Sequence, residues 1–291
     1  MTAVAERVRR YAGLVAFSHT IFSLPFAASA VVLARAVPHV PLTVARAAAM
    51  LACMATARTS AMAFNRWADR DIDAQNPRTK SRHVPSGQVR AREALALALG
   101  SGALFVAFAA TLGAWPAILS PFVLAILLGY SYAKRFTWAA HAWLGVASAL
   151  APGGAWIACG ATPGAGIFAL MGAVVTWLFG FDVLYSLQDA TFDRERGLHS
   201  VPARFGVRGA LVMSGASHAL TALLLALTGL CLHRGMVYFV AVFVVSALLV
   251  WEHALVGKGN LAKIDKAFFD VNAYVSVAFF VLVLADDFMR R

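Results

Sequence analysis

Nine runs of about 20 apolar residues recur along the chain, and they constrain its fold more than any other feature of the sequence. A helix of that length crosses the hydrocarbon core of a bilayer. A soluble domain needs far more polar surface than this chain has, since 60% of its residues are hydrophobic and only 13% are charged. We therefore predict an all-α, polytopic membrane protein that forms a single domain over residues 1–291. The predicted spans are 14–34, 44–64, 94–112, 114–132, 138–159, 167–185, 209–232, 236–256 and 268–285.

Lysine and arginine residues are distributed unevenly between the two sides of these spans. Of the 25 such residues, 19 lie on the side that carries the N-terminus, including a mostly basic arm at residues 6–10, and five lie on the other side. Because basic loops stay in the cytoplasm, the N-terminus is predicted to be cytoplasmic, in a bacterial inner (plasma) membrane. Basic loops at a lipid bilayer also explain the net charge of +11 without a nucleic-acid partner, for which the sequence contains no motif.

Acidic residues are scarce, and half of them cluster in two segments at predicted cytoplasmic helix ends. Seven of the 14 Asp and Glu residues lie in the first acidic segment, residues 65–73, or in the second acidic segment, residues 182–195. Each segment contains two aspartates four residues apart, Asp69 and Asp73 in the first and Asp189 and Asp193 in the second. On a helix such a pair shares one face, where like charges repel. The pattern favours bound Mg²⁺, which combines carboxylates with water and phosphate oxygens, over solvated carboxylates balanced by arginine.

The sequences that follow the two acidic segments resemble each other. A Val-Pro pair occurs at 84–85 and again at 201–202, after the first and second segments respectively. The repetition suggests an internal duplication, with the nine helices placing two acidic sites across one central cavity. Chance similarity between apolar sequences is the alternative.

Several polar or helix-breaking residues lie within or at the ends of the predicted spans. Arg58 lies two turns before Asn65, and a charge at that depth costs roughly 3 kcal/mol, so it is predicted to face the cavity below the metal site. Snorkelling to the interface is the alternative. Lys134 ends the fourth span and either contacts phosphate or anchors the topology. Pro25 and Pro152 are predicted to interrupt the first and fifth spans, as is tolerated where helices line a cavity.

Paired carboxylates, basic side chains and a deep apolar cavity together suit a polyprenyl diphosphate. Its head group needs Mg²⁺ and its tail needs an apolar environment, and the metal stabilises the departing diphosphate. The allylic carbocation that remains must be kept from water. An aromatic second substrate attacks it, and Arg58 is predicted to hold a carboxylate on that acceptor.

Four stretches of the sequence resemble a known family of membrane enzymes. The strings Asn65-Arg66-x-x-Asp69-x-x-x-Asp73 and Asp182-x-x-Tyr185-x-x-x-Asp189-x-x-x-Asp193 resemble the two signatures of the UbiA superfamily of intramembrane prenyltransferases. Residues 19–27, which begin with His19, and residues 134–137 resemble its 4-hydroxybenzoate polyprenyltransferase branch. The resemblance covers essentially the whole chain.

The resemblance implies Mg²⁺-dependent transfer of a polyprenyl group from polyprenyl diphosphate to a small aromatic acid of the 4-hydroxybenzoate type, in ubiquinone or menaquinone biosynthesis. The implied metal ligands are Asn65, Asp69, Asp73, Asp189 and Asp193. The four aspartates among them are also the implied catalytic residues. The candidate diphosphate-binding residues are Arg66, Arg82, Tyr130, Lys134, Tyr185 and Arg194. The candidate acceptor-binding residues are Arg58 and Asp182.

One position departs from the ubiquinone branch and leaves the acceptor open. His199 occupies a position where the ubiquinone enzymes commonly have lysine, and the surrounding string is more similar to the branch assigned to the futalosine route of menaquinone synthesis. A naphthoate is thus an alternative acceptor. Spacing alone also leaves a haem precursor, a chlorophyll precursor and a lipid glycerol open as acceptors. A membrane transporter is the alternative outside enzymes, but transporters place coupling carboxylates near the membrane midplane, whereas these lie at helix ends.

Overall fold

The computed structural model describes residues 13–14, 20–256, 264 and 267–291, and all regular structure in this part of the chain is helical. The all-α prediction is therefore confirmed for these residues. The basic arm at residues 6–10, the motif residue His19 and the loop lysines Lys258, Lys263 and Lys266 lie outside the described residues.

A helix corresponds to each predicted span, although the ends differ and residues 15–19 of the first span lie outside the described residues. In chain order the helices are α1 (Thr20–Leu33), α2 (Val44–Ala68), α3 (Arg70–Gln75), α4 (Ala91–Leu112), α5 (Ala114–Ala133), α6 (Ala140–Ala158), α7 (Ala165–Tyr185), α8 (Ala190–Glu195), α9 (Val201–Cys231), α10 (Met236–Val256) and α11 (Asn272–Met289). A 3₁₀ turn, Ser186–Asp189, joins α7 to α8, and a π-helical turn, Ala267–Val271, precedes α11.

Seven helices in the described residues are long and apolar enough to cross a bilayer, compared with the nine spans predicted. The two others are α1 and α6. The part of α1 that the structure describes has 14 residues, and residues 15–19 before it lie outside the described part of the chain. Helix α6 has 19 residues, but its apolar sequence is diluted by His141, Pro152 and several glycines.

The predicted interruptions at Pro25 and Pro152 are wrong, because α1 and α6 both continue through their prolines. Each proline removes one backbone donor, a local loss that a packed membrane helix tolerates. The glycines of α6 allow close packing on α7 instead of a break. A Cβ atom at Gly145 would lie 2.6 Å from the carbonyl oxygen of Val175, so only glycine fits there.

Two compact units are distinguished by their internal contacts. The first unit contains the described residues of 1–20 and 42–132, and the second contains those of 21–41 and 133–291. In the first unit α2 packs along α4, where Ser60 Oγ donates a hydrogen bond of 2.8 Å to the carbonyl oxygen of Ala98. Val84 and Val89, from the connection between α3 and α4, pack with Ala63 in the same hydrophobic core.

In the second unit α7 is the most enclosed long helix, and it packs against both α6 and α9. Trp177 is fully buried and stacks near Phe26 of α1, with ring centroids 4.9 Å apart. Phe26 in turn stacks on Phe279 of α11 at 5.1 Å. These large aromatic contacts connect three helices, so the second unit has a continuous aromatic core.

Helix α9 begins at Val201, whereas the predicted span began at 209. Ser200 caps it by accepting a hydrogen bond from the backbone N–H of Ala203, and Pro202 occupies its first turn. Both are strong signals for a helix start that a search for apolar residues does not detect. The backbone kinks at Gly206, where φ is 70°, a conformation that favours glycine. The N-terminal end of α9 is therefore a short, separately angled turn.

Candidate active site

The first acidic segment continues the helical path of α2 across a short junction. Helix α2 ends at Ala68, and Asp69 has φ −94° and ψ 5° before α3 begins at Arg70. The backbone N–H of Asp73 still donates to the carbonyl oxygen of Asp69 at 2.7 Å. The spacing of four residues therefore keeps its helical geometry between Asp69 and Asp73, as the sequence predicted.

Asn65 and Asp69 are in direct contact. Asn65 Nδ2 donates a hydrogen bond of 2.8 Å to Asp69 Oδ2 and lies 3.5 Å from Ser131 Oγ. Arg66 Nη1 donates to Asn65 Oδ1 at 3.4 Å. These contacts fix the orientation of the Asn65 amide, with its nitrogen towards the carboxylate and its oxygen towards the guanidinium. That oxygen keeps a second lone pair for another partner.

Asp73 is buried and paired with Arg82. Arg82 Nη1 lies 2.7 Å from Asp73 Oδ1 and 2.9 Å from Oδ2. The chain turns repeatedly between α3 and α4, which brings Arg82 back onto a carboxylate nine residues earlier. Thr79 Oγ1 supports the turn by donating to the backbone carbonyl of Asp73 at 3.2 Å. In the first acidic segment the carboxylate of Asp69 is thus bound to the amide of Asn65, and the carboxylate of Asp73 is bound to the guanidinium of Arg82.

The second acidic segment is not one continuous helix. Helix α7 ends at Tyr185, the 3₁₀ turn Ser186–Asp189 follows, and α8 contains Asp193. A 3₁₀ turn has 3.0 residues per turn instead of 3.6, so the predicted single row through Tyr185, Asp189 and Asp193 is interrupted. Both aspartates are nevertheless buried, at 6% and 2% exposure.

Asp193 is the carboxylate whose surroundings most resemble a cation site. Its Oδ2 atom is buried without a hydrogen-bond partner in the described residues, and Lys134 Nζ lies 4.0 Å away. The backbone carbonyl of Lys134 accepts a hydrogen bond of 2.8 Å from the N–H of His199, which ties the lysine to the loop before α9. A buried carboxylate oxygen with no donor is costly unless a cation binds it, so this position fits a metal ion or a rearranged lysine.

Asp182 has a partner that the sequence did not reveal. Its Oδ2 atom lies 2.6 Å from Nδ1 of His141, which is fully buried at the start of α6. The backbone N–H of Val201, in the first turn of α9, donates to the other ring nitrogen of His141 at 3.3 Å. One buried imidazole therefore connects α6, α7 and α9 and orients a carboxylate of the second segment.

The other predicted site residues have less defined surroundings. Arg58 and Tyr130 are half-buried on α2 and α5, and Tyr130 directly precedes Ser131. Tyr185 packs on a hydrophobic cluster that includes Leu187, whereas Arg194 is exposed.

The predicted acidic residues do not form a complete metal site on their own. Within the described residues, no three His, Cys, Asp or Glu side chains converge as they do in an all-protein site. Mg²⁺ commonly binds through one or two carboxylates, with water and substrate phosphate completing its shell. In the first unit Asn65 and Asp69, and separately in the second unit the unsatisfied oxygen of Asp193, carry oxygen atoms of the kind that Mg²⁺ prefers as ligands. The residues present therefore fit this cation together with a phosphate-bearing substrate.

Comparison with known proteins identifies the family. The profile of the UbiA prenyltransferase family matches residues 23–282, most of the chain. This chain belongs to the UbiA prenyltransferase family. It is therefore a transmembrane prenyltransferase, which excludes the transporter alternative.

Named relatives and solved structures support this UbiA assignment. The 4-hydroxybenzoate octaprenyltransferase of Aromatoleum aromaticum is 29% identical over 230 residues, covering 78% of this chain and 77% of its own. The enzyme of the same name from Nitrosomonas europaea is 28% identical, covering 80% of this chain and 79% of its own. A UbiA homologue from Aeropyrum pernix K1, solved in the apo state, is 34% identical, with a TM-score of 0.83 over 92% of this chain and 98% of its own.

A more distant UbiA homologue was solved with ligands. The protein from Archaeoglobus fulgidus, bound to GPP and Mg²⁺, is 20% identical, with a TM-score of 0.70 over 94% of this chain and 99% of its own. At that identity the likeness shows a shared fold.

Sequence reasoning missed two residues that contact the UbiA signatures, Ser131 beside Asn65 and His141 beside Asp182. His141 could have been found, because it is an ionisable residue within a predicted span.

Proposed function

We propose that this UbiA enzyme transfers a polyprenyl group from polyprenyl diphosphate to a small aromatic acid of the 4-hydroxybenzoate type, with Mg²⁺ as cofactor, in quinone biosynthesis. The names of the bacterial relatives and the ligands of the Archaeoglobus protein support this assignment. The observation that carries it is that each acidic segment holds a buried aspartate beside a basic side chain. These pairs are Asp73 with Arg82 and Asp193 with Lys134.

The acidic segments are proposed to bind the metal–diphosphate head group. Asn65, Asp69, Asp73, Asp189 and Asp193 supply the oxygen ligands. When bound, Mg²⁺ polarises the diphosphate oxygens and stabilises the negative charge that develops on the leaving group.

Basic side chains are proposed to stabilise the same anion. Arg82 and Lys134 each lie beside a carboxylate, so both can exchange a carboxylate oxygen for a diphosphate oxygen with a small movement. Charge-assisted contacts of this kind strengthen as negative charge builds up in the transition state. The remaining diphosphate contacts are assigned to Arg66, Tyr130, Tyr185 and Arg194.

Arg58 and Asp182 are proposed to bind the aromatic acceptor. A guanidinium binds a carboxylate through two parallel hydrogen bonds, so Arg58 is assigned to the acid group. Asp182 is an acceptor of hydrogen bonds and suits a hydroxyl group. The apolar helices exclude water from the allylic cation, so that the ring carbon is its nucleophile.

The full membrane topology is also part of this proposal. We assign nine membrane helices around a central cavity, a single domain, and a cytoplasmic N-terminus in the plasma membrane, with both acidic segments on the cytoplasmic side. The alternation of basic loops supports this orientation.

A naphthoate of the futalosine route is the second candidate acceptor. His199, which replaces the lysine common in ubiquinone enzymes, favours it. The His199 side chain is exposed, and its backbone N–H donates to the carbonyl oxygen of Lys134, so the position lies next to the proposed diphosphate contact. Haem and chlorophyll precursors are outcomes of the same test.

The experiment uses the full chain reconstituted in lipid nanodiscs. Labelled farnesyl diphosphate and Mg²⁺ are incubated with 4-hydroxybenzoate, hydroxynaphthoates and a porphyrin acid in parallel, and products are identified by mass. A prenylated hydroxybenzoate supports the first acceptor, and a prenylated naphthoate supports the second. Transfer to neither aromatic acid, with the prenyl diphosphate still consumed, would show that the acceptor class is wrong.

A further inference from the structure

The contact between Asp182 and His141 reverses the usual arrangement of an aspartate–histidine pair. In catalytic triads the carboxylate is buried and the imidazole faces the substrate. Here the His141 side chain is fully buried, whereas the Asp182 side chain keeps 16% exposure. The partly exposed member of the pair is therefore Asp182, and the buried imidazole contacts its carboxylate from the interior.

The second contact of His141 determines where its proton lies. The backbone N–H of Val201 can only donate, so Nε2 of His141 must accept and carries no proton. In the neutral imidazole the proton is then on Nδ1, which donates to Asp182 Oδ2 over 2.6 Å. Asp182 thus receives a buried donor that holds its carboxylate in one orientation.

The other carboxylate oxygen of Asp182 remains available for a ligand. Within the described residues, His141 provides the only hydrogen bond to this carboxylate. Aromatic side chains flank it, because Phe179 and Tyr185 lie three residues before and after Asp182 on α7 and therefore near its face. Both pack on the hydrophobic cluster beneath them. A single oriented acceptor between aromatic residues matches a planar ring that carries one hydroxyl group.

A second buried acid in the same unit provides a contrast. Glu252 is 1% exposed and sits 3.8 Å from His218, with Asn272 donating to its other oxygen at 2.7 Å. Glu252 Oε2 has no hydrogen-bond partner in the described residues, but the side chain is almost fully buried, so a ligand from outside does not reach it. Asp182 differs because its carboxylate is partly exposed.

We propose that His141 is a positioning residue that orients Asp182 to accept a hydrogen bond from the ring hydroxyl of the aromatic acceptor. The inference rests on the proposed function and adds the group that recognises the hydroxyl. As the ring carbon attacks the allylic cation left by the departing diphosphate, positive charge spreads to the hydroxyl oxygen until the ring carbon releases its proton to that diphosphate. A hydrogen bond from that hydroxyl to a carboxylate therefore strengthens in the transition state and raises kcat.

Two substitutions separate the two contacts of His141. In His141→Asn the side-chain amide nitrogen takes the place of Nδ1, so the donor to Asp182 is kept while the contact to Val201 is lost. In His141→Gln the amide oxygen reaches the place of Nε2, so the contact to Val201 is kept while the donor to Asp182 is lost. The pair thus distinguishes orientation of Asp182 from anchoring of α9.

The measurements are kcat for ring prenylation, KM for farnesyl diphosphate and the thermal midpoint in nanodiscs. We expect His141→Gln and Asp182→Asn to lower kcat by about 10- to 100-fold, with the farnesyl diphosphate KM unchanged. We expect His141→Asn to retain most of the wild-type kcat. With 4-methoxybenzoate, which lacks the hydroxyl proton, wild type and His141→Gln should have equally low kcat.

Three results would overturn the inference. The first is a wild-type kcat in His141→Gln, and the second is a loss of kcat in His141→Asn but not in His141→Gln. The third is an equal loss of kcat in both variants together with a lowered thermal midpoint, which would assign His141 to structure alone. Failure of the proposed function is distinct, because the wild-type enzyme would then prenylate no hydroxylated aromatic acid while still binding farnesyl diphosphate.

Discussion

Arg82 Nη1 contacts both carboxylate oxygens of Asp73, at 2.7 Å and 2.9 Å, so one guanidinium nitrogen engages the whole carboxylate of a predicted metal ligand. The Asp73 side chain is 7% exposed and that of Arg82 is 30% exposed. Breaking the ion pair therefore costs the buried Asp73 carboxylate more than it costs the more exposed Arg82 guanidinium. Arg82 therefore compensates the charge of Asp73, and its partly exposed guanidinium is also in a position to bind a diphosphate oxygen.

Arg82→Ala should weaken binding of the prenyl diphosphate. It removes the cation that pairs with a buried carboxylate and one proposed contact to the leaving group, so we expect the farnesyl diphosphate KM to rise about 10- to 100-fold. Steady-state kinetics in nanodiscs measure this. Arg70→Ala is the matched control, because Arg70 contacts the exposed Asp71 and the backbone of Trp67 and should leave KM unchanged. An unchanged KM in Arg82→Ala would assign Arg82 to the stability of the segment only.

Alanine at each of four aspartates should abolish turnover while the protein still folds. The variants are Asp69→Ala, Asp73→Ala, Asp189→Ala and Asp193→Ala, and each removes an oxygen ligand from a site with few substitutes, so we expect a loss of about a thousandfold or more. Asp71→Ala is the control, because its side chain is 78% exposed and lies between two of the tested positions in the sequence. Activity near that of wild type in any two of the four variants contradicts the assignment of both segments.

Activity should require a divalent cation. Oxygen ligands around a diphosphate favour the near-octahedral geometry of Mg²⁺, so Mg²⁺ and Mn²⁺ should support transfer and the larger Ca²⁺ should support it poorly. Product formation is measured after removal of metal with EDTA and again after addition of each ion. Full activity in excess chelator is incompatible with this chemistry.

Arg58 should set the affinity for the acceptor and not for the prenyl donor. A hydrogen bond to a carboxylate contributes about 1.5–3 kcal/mol, so Arg58→Ala should raise the acceptor KM about ten- to a hundredfold while the donor KM changes little. Arg58→Lys should recover only part of the loss, because lysine lacks the planar, two-pronged guanidinium. If Arg58→Lys has the acceptor KM and the donor KM of wild type, Arg58 acts only as a cation at the membrane interface.

Arg234 should stabilise the fold without affecting catalysis. Its Nε lies 3.0 Å from Asp286 Oδ2 and its Nη2 lies 3.6 Å from Asp287 Oδ1, and both the Arg234 and Asp286 side chains are almost fully buried. Removing one partner of a buried pair costs about 3–5 kcal/mol, so Arg234→Ala should lower the thermal midpoint clearly. Arg35→Ala is the control, because that side chain is 41% exposed and contacts the same Asp287, and it should have little effect. Equal midpoints in the two variants would contradict this assignment.

The sequence by itself determined where the long helices lie and which carboxylates stand four residues apart. Apolar length and charge scarcity are properties of neighbouring residues, so α2, α4 and α10 appear close to their predicted positions. The start of α9 at Val201 was also encoded locally, in Ser200 and Pro202, although the apolar pattern alone missed it. The predicted duplication remains a prediction, and its two Val-Pro pairs differ locally, since one opens α9 and the other lies in a turn.

The tertiary structure alone decided which side chains of separate helices meet. Ser131 beside Asn65 and His141 beside Asp182 join residues 66 and 41 positions apart, and no spacing rule within one helix connects such residues. The 3₁₀ turn before Asp189 likewise breaks the row that regular helical spacing predicted. Periodicity acts over one or two turns, whereas these contacts depend on how separate helices pack, because close packing sets which polar groups can satisfy one another in the low-dielectric interior.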